Sequence, residues 1–198
     1  WGTSGYNHGA VCYQPWSTNQ HNELYYSHGD PNNGLFGQSD WGYNAISNGG
    51  NTTNLWHTLA VSEWNYIINS RNTSSGIRFA KASINGVNGM IILPDDWDST
   101  VYYLNNTNQT DVDWNTNVMS SAQWQTLENN GAVFLPCAGL RSQMNGRYIE
   151  WINTFGAYWT RTNSGNGFLG TFYCSGSLGY NVIRYQGKSV RLVQYYNP

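Results

Sequence analysis

The sequence predicts a single α+β domain, residues 1–198, with two main helices, short strands and extensive loops. Three observations predict it. Two segments space apolar residues as an amphipathic helix does, a series of short β-branched and aromatic runs is punctuated by turn dipeptides, and Gly, Asn, Ser and Thr fill the remainder. At 198 residues and 22.3 kDa the length suits one domain with a substantial core.

Residues 1–55 read as turns and loops, with Gly and Asn interleaved among aromatics in Trp1-Gly2-Thr3-Ser4-Gly5-Tyr6 and Asp40-Trp41-Gly42-Tyr43. From Thr58 the pattern changes. Leu59, Glu63, Trp64, Ile67 and Ile68 fall at helical spacing within a segment running to Asn69, behind a Thr or Ser cap. Arg78–Ala82, Ile84–Val87 and Met90–Leu93 follow as strands, separated by Asn85-Gly86 and Asn88-Gly89, both hairpin signals. The second helix spans Ser121–Asn129, with a Ser cap and Gly131 just past its end. Ala132–Pro136 then reads as a buried strand. Beyond Arg141 come the strand-like runs Tyr148–Ile152, Tyr158–Thr160, Phe168–Tyr173, Tyr180–Tyr185 and Ser189–Gln194.

Only 10% of residues are charged and the net charge is −2, so there is no basic stripe for phosphates and no polybasic segment for a membrane surface. Nucleic acid and direct membrane insertion are therefore not expected. The longest apolar stretch, Met90–Leu93, cannot span a bilayer. The chain opens on Trp1-Gly2-Thr3 with no signal peptide before it, as a mature or trimmed fragment of a longer protein would. Aromatics make up 16%, with 10 Trp and 15 Tyr. Rigid aromatic area beside adaptable Ser, Asn and Gly is the composition of recognition surfaces, and equally of a chain with many turns between short strands.

Trp56-His57-Thr58-Leu59-Ala60-Val61-Ser62-Glu63-Trp64-Asn65-Tyr66 resembles the signature W-R-L-P-T-x-x-E-W-E-Y of the formylglycine-generating-enzyme branch of the C-type lectin fold, with His57 and Thr58-Leu59 departing from its Arg and Leu-Pro. The wider sequence is similar to a paralogous bacterial surface family, the Fibrobacter-type major paralogous domain. The matching segments are residues 1–5, 40–46, 75–82 and 92–97, then Gly131–Pro136, Gly156–Thr160 and Gly187–Val193, so the resemblance runs through nearly the whole chain. It implies a C-type lectin-like fold, with residues 1–140 as scaffold and 141–198 containing the variable, ligand-binding region. Many such domains are similar to the variable proteins of diversity-generating retroelements, whose fixed elements Gly-x-Tyr-Trp and Gly-x-Ser-Val-Arg stand here as Gly156–Trp159 and Gly187–Arg191. The implied function is a non-enzymatic adhesin or receptor tip on a bacterial cell surface, recognising a protein or glycan on another cell, a phage or a host, with no cofactor. An oxidative or glycan-processing enzyme of the same fold, or a structural module of a surface protein, is the alternative.

Three cysteines allow at most one internal disulfide. Oxidase relatives use a cysteine pair with copper, but Cys137 stands where the surface family commonly has Ala. A structural Cys137–Cys174 disulfide then explains the pair more simply than catalysis; two unpaired thiols and a copper site stay open. His8, His21, His28 and His57 lack zinc spacing and read as loop or surface residues, and Asp95, Asp96 and Asp98 form an acidic turn that could hold calcium.

Alternation along the C-terminal strands puts Trp159, Phe172, Val190 and Leu192 in the core. Their neighbours Glu150, Trp151, Phe155, Ala157, Arg161, Asn163, Asn166, Leu169, Thr171, Tyr180, Asn181, Ile183 and Tyr185 are the expected ligand-binding residues.

Overall fold

The computed structural model describes residues 56–141, 149–163, 168–174, 176–183 and 187–194. The looped reading of residues 1–55 lies outside them, as do His8, His21, His28, Asn166 and Tyr185. The described chain is α+β: two α-helices, α1 (Val61–Asn65) and α2 (Ser121–Asn129), accompany eleven strands.

The centre is a four-stranded sheet in the order β4-β2-β3-β5, built from β2 (Phe79–Ile84), β3 (Val87–Ile92), β4 (Val118–Met119) and β5 (Val133–Pro136). Asn85 and Gly86, with φ of 49° and 81°, make the two-residue turn between β2 and β3, as the Asn-Gly signal predicts. Asn88-Gly89 is not a second turn. Both residues pair within β3, opposite Ser83 and Ala82. Gly89 is there because β5 crosses closely: a Cβ would meet the Leu135 carbonyl oxygen and the Phe134 ring at 2.5 Å.

All six residues of β2 are buried, because the sheet is covered on both faces. One face gathers Phe79, Met90 and Leu135 with Leu59, Trp64, Ile68, Tyr158, Cys137 and Cys174. The other gathers Ala80, Ala82, Ile84 and Ile91 with Trp97, Leu104, Met119 and Leu127. Lys81 is buried in this central strand, its amine donating to the Val112 carbonyl at 3.0 Å and lying 4.5 Å from the Trp114 ring centre. Among the described residues no helix is long and apolar enough to cross a membrane.

α2 starts as expected, on Ser120, whose hydroxyl accepts from the Gln123 N–H while Gln123 accepts from the Ser120 N–H. α1 has no Ser or Thr cap: Ala60 precedes it, and Glu63 accepts from the Ala60 N–H at 2.7 Å. The helix then widens into a π-helical turn over Tyr66–Ser70.

A three-stranded antiparallel sheet, β10-β9-β8, follows: β8 (Ala157–Asn163), β9 (Phe168–Tyr173) and β10 (Leu178–Ile183). Two short pairs complete the framework, β6 (Leu140–Arg141) with β7 (Ile149–Glu150), and β1 (His57–Thr58) with β11 (Leu192–Val193). His57, read from sequence as a loop or surface residue, is buried in β1.

The expected alternation in β8 is reversed. Tyr158 and Thr160 are buried, and Trp159 is only half-buried, with the Lys188 amine 4.3 Å from its ring centre. A β-branched Thr and a Tyr whose hydroxyl reaches the Pro136 carbonyl at 2.9 Å take the inner positions, a polar solution that apolar patterning does not register. Val190 and Leu192 are likewise half-buried, and the Phe172 side chain lies outside the description. Trp64→Ala should therefore cost about 3–5 kcal/mol as a core truncation, and Trp159→Ala distinctly less. Denaturant melts of the two variants check the ranking, and equal losses would contradict it.

Candidate functional site

Among the described residues, an exposed aromatic cluster grows out of the turn after β7. Trp151 is 57% exposed and Ile152 62%. Phe155 lies beneath them, half-buried, its ring centre 5.7 Å from Trp151 in an edge-on arrangement and 5.0 Å from Tyr173 at the end of β9. Trp151, Phe155 and Tyr173 thus form a ladder running from solvent into the three-stranded sheet. Burial pushes the Tyr173 phenol up from its ordinary value, consistent with its place as the inner rung.

The turn that presents Trp151 is strained and braced. Trp151 and Asn153 adopt φ of 56° and 64°, the left-handed region, which costs a bulky non-glycine residue about 1–3 kcal/mol. Asn153 offsets that cost. Its side-chain oxygen accepts from the Asn88 N–H at 2.6 Å, its amide donates to the Gly86 carbonyl at 2.9 Å, and its own carbonyl accepts from the Asn88 side chain at 2.8 Å. The Asn153 N–H donates to the Cys137 carbonyl at 2.8 Å. One residue therefore ties the turn both to the β2–β3 hairpin and to the end of β5. Inside the turn the Trp151 carbonyl accepts from the Thr154 N–H, the Thr154 hydroxyl and the Phe155 N–H.

Of the thirteen residues expected to bind ligand, the structure brings Trp151 and Phe155 together, with half-buried Glu150 next in the chain. Ala157 is fully buried, so its methyl belongs to the core and is withdrawn from the site. Arg161 reaches solvent but is held by an ion pair with Glu63 at 2.9 Å, which fastens β8 to α1. Asn163, Leu169, Thr171, Tyr180, Asn181 and Ile183 lie on the three-stranded sheet, where the backbone pairs Asn163 with Leu169 and Thr171 with both Trp159 and Gly179; their side chains are not described.

Sequence reasoning missed Ile152, Asn153 and Tyr173. The signal for Asn153 was present, since Asn tolerates the left-handed region and favours turns. Its partner Asn88 lies 65 residues away, and no local pattern reveals that.

The acidic turn does not assemble a cation site. Asp95 pairs with Arg71 at 3.0 Å, and Asp98 accepts from the Thr100 N–H at 2.8 Å, bonding that holds its carboxyl below the usual range. Among the described residues no group of three metal-ligating side chains converges.

Cys137 and Cys174 do meet. Both are buried, as thiols with their Sγ atoms 2.8 Å apart. The contact with Cys174, and then burial, push the Cys137 thiol far above its ordinary value. Burial likewise pushes the Lys188 amine down to about 7, against the opposing pull of the Trp159 ring face.

No protein-family model, curated protein or solved structure matches the chain.

The bracing generates a test. Asn153→Ala should lower stability by about 2–3 kcal/mol through lost hydrogen bonds and a strained backbone, and Asn153→Gly should recover only the backbone share. Urea melts measure both. An unchanged midpoint for the Ala variant would show that the turn is not braced this way.

Proposed function

We propose that this chain is a non-enzymatic ligand-binding domain, the adhesin or receptor tip of a bacterial surface protein, with a C-type lectin-like fold of the formylglycine-generating-enzyme branch. Its place in the Fibrobacter-type family, and its diversification by a retroelement, rest on the sequence resemblance. The ligand is a protein or glycan on another cell, a phage or a host surface. No cofactor takes part.

The observation that carries this reading is the presentation of Trp151. A large aromatic side chain stands more than half in solvent on a left-handed backbone that the protein braces with bonds from two other elements. Strain maintained at an exposed position is a mark of function rather than of packing. Exposed Trp, backed by further aromatics, supplies the rigid anchor that dominates many interfaces. An edge-on ring at 5.7 Å and a tilted one at 5.0 Å back that anchor from below. Because the ladder stands on β7, β9 and the turn between β7 and β8, its rungs can change while the central sheet stays as it is.

Trp151→Ala should weaken capture of array-bound ligands by roughly 1–3 kcal/mol, about 5- to 150-fold, with little loss of melting temperature. Glycan and cell-surface protein arrays probed with both proteins measure this. Retention of every hit by Trp151→Ala and by Phe155→Ala would place recognition elsewhere. Sequences from several strains supply the companion measurement: substitutions should concentrate in residues 150–185 at codons that are AAY in a template repeat, and uniform change along the chain would remove the diversification reading.

A further inference from the structure

The buried cysteine pair has no part in the proposed binding surface, yet the fold is built around it. Cys137 follows β5 on the central sheet and Cys174 follows β9 on the three-stranded sheet, so their contact is where the two sheets meet. The backbone on each side is pinned: the Cys137 N–H donates to the Asn88 carbonyl at 2.7 Å, and the Cys174 N–H donates to the Gly156 carbonyl at 2.9 Å. Gly156 is the residue over which the sulfurs approach. A Cβ there would meet Cys174 Sγ at 2.6 Å, the Pro136 carbonyl oxygen at 2.9 Å and Cys137 Cα at 3.1 Å, so no side chain can be placed without prising the pair apart.

We propose that Cys137 and Cys174 become joined by a disulfide while the chain folds, and that folding then seals the bond from solvent, closing the 137–174 segment that carries Trp151, Phe155 and Tyr173 into a covalent loop. The oxidant is a small-molecule or protein disulfide. One cysteine thiolate attacks it and releases one thiol; the second cysteine then attacks the mixed disulfide and releases the other. The two protein thiols lose two electrons and two protons, and the reagent disulfide is reduced to two thiols.

The timing follows from the site. Exchange needs a thiolate and an access route, and the folded protein denies both: each sulfur is buried, and burial and mutual contact keep Cys137 protonated. A reduced chain that has already folded should oxidise slowly, and a bridged one should resist reductant. Such a bond suits an oxidising compartment.

The test uses the full chain carrying Cys12→Ser, which removes the third thiol. It is refolded once with a mixture of oxidised and reduced glutathione and once with dithiothreitol. The proposal predicts a product lighter by two hydrogens in the first case, a non-reduced digest linking the Cys137 and Cys174 peptides, and a melting temperature higher by roughly 8–15 °C than the reduced form. The bond should survive dithiothreitol until denaturant is added. The difference between the two refolding conditions should vanish in Cys137→Ala/Cys174→Ala. Free alkylation of both thiols after oxidative refolding, rapid reduction of the native bridged form, or equal melting of the two forms would overturn it. None of these readouts involves ligand, so they stand or fall apart from the binding reading.

Discussion

Asn153 holds the candidate site to the rest of the protein. Its side chain and backbone together bond to Gly86, Asn88 and Cys137, joining the turn after β7 to the hairpin and to the edge of the central sheet. Those bonds, together with the three that the Trp151 carbonyl accepts within the turn, hold the left-handed backbone at Trp151 in place. Asn153 thus ties the turn that presents Trp151 to the central sheet, while the Gly139 N–H, which donates to the Phe155 carbonyl at 2.7 Å, and the pairing of Tyr173 with Ala157 place the other two rungs.

The bracing works because the hairpin it grips is rigid. β2 and β3 lie at the centre of a sheet buried on both faces, with a large apolar cluster against each. Gly89 lets β5 approach closely enough to complete that sheet, and Gly156 lets the three-stranded sheet approach the end of β5. One glycine therefore admits a neighbouring strand within the sheet, and the other sets the approach of the second sheet, at the seam where the cysteine pair lies. The Arg161–Glu63 ion pair and the capping of α1 by the same Glu63 fasten β8 from the other side.

Much of this architecture was legible in the residues. The second helix has its predicted bounds because Ser120 and Gln123 form a capping box, and the strands Phe168–Tyr173 and Val133–Pro136 stand where apolar runs predict them. The errors arose where long-range contacts outweigh local pattern. Asn88-Gly89 carries a hairpin signal but lies inside a strand, because β5 demands a glycine there. β8 reads as alternating about Trp159, yet Tyr158 and Thr160 face inward, since a buried phenol can reach the Pro136 carbonyl. Within the site, Trp151 and Phe155 were readable as aromatic neighbours of a strand, whereas Ala157, buried together with Tyr158 at the start of β8, departs from the simple alternation on which its placement rested. Asn153 was beyond reach because its function depends on a partner in a different hairpin.

Amide hydrogen exchange tests the central claim most directly. If Asn153 clamps the turn, the amides of Asn88, Asn153 and Phe155 will exchange on the order of 100-fold or more slowly than in an unstructured peptide, as part of the same protected unit as β2 and β3. Exchange of these three amides at unstructured rates, with β2 and β3 still protected, would contradict the account.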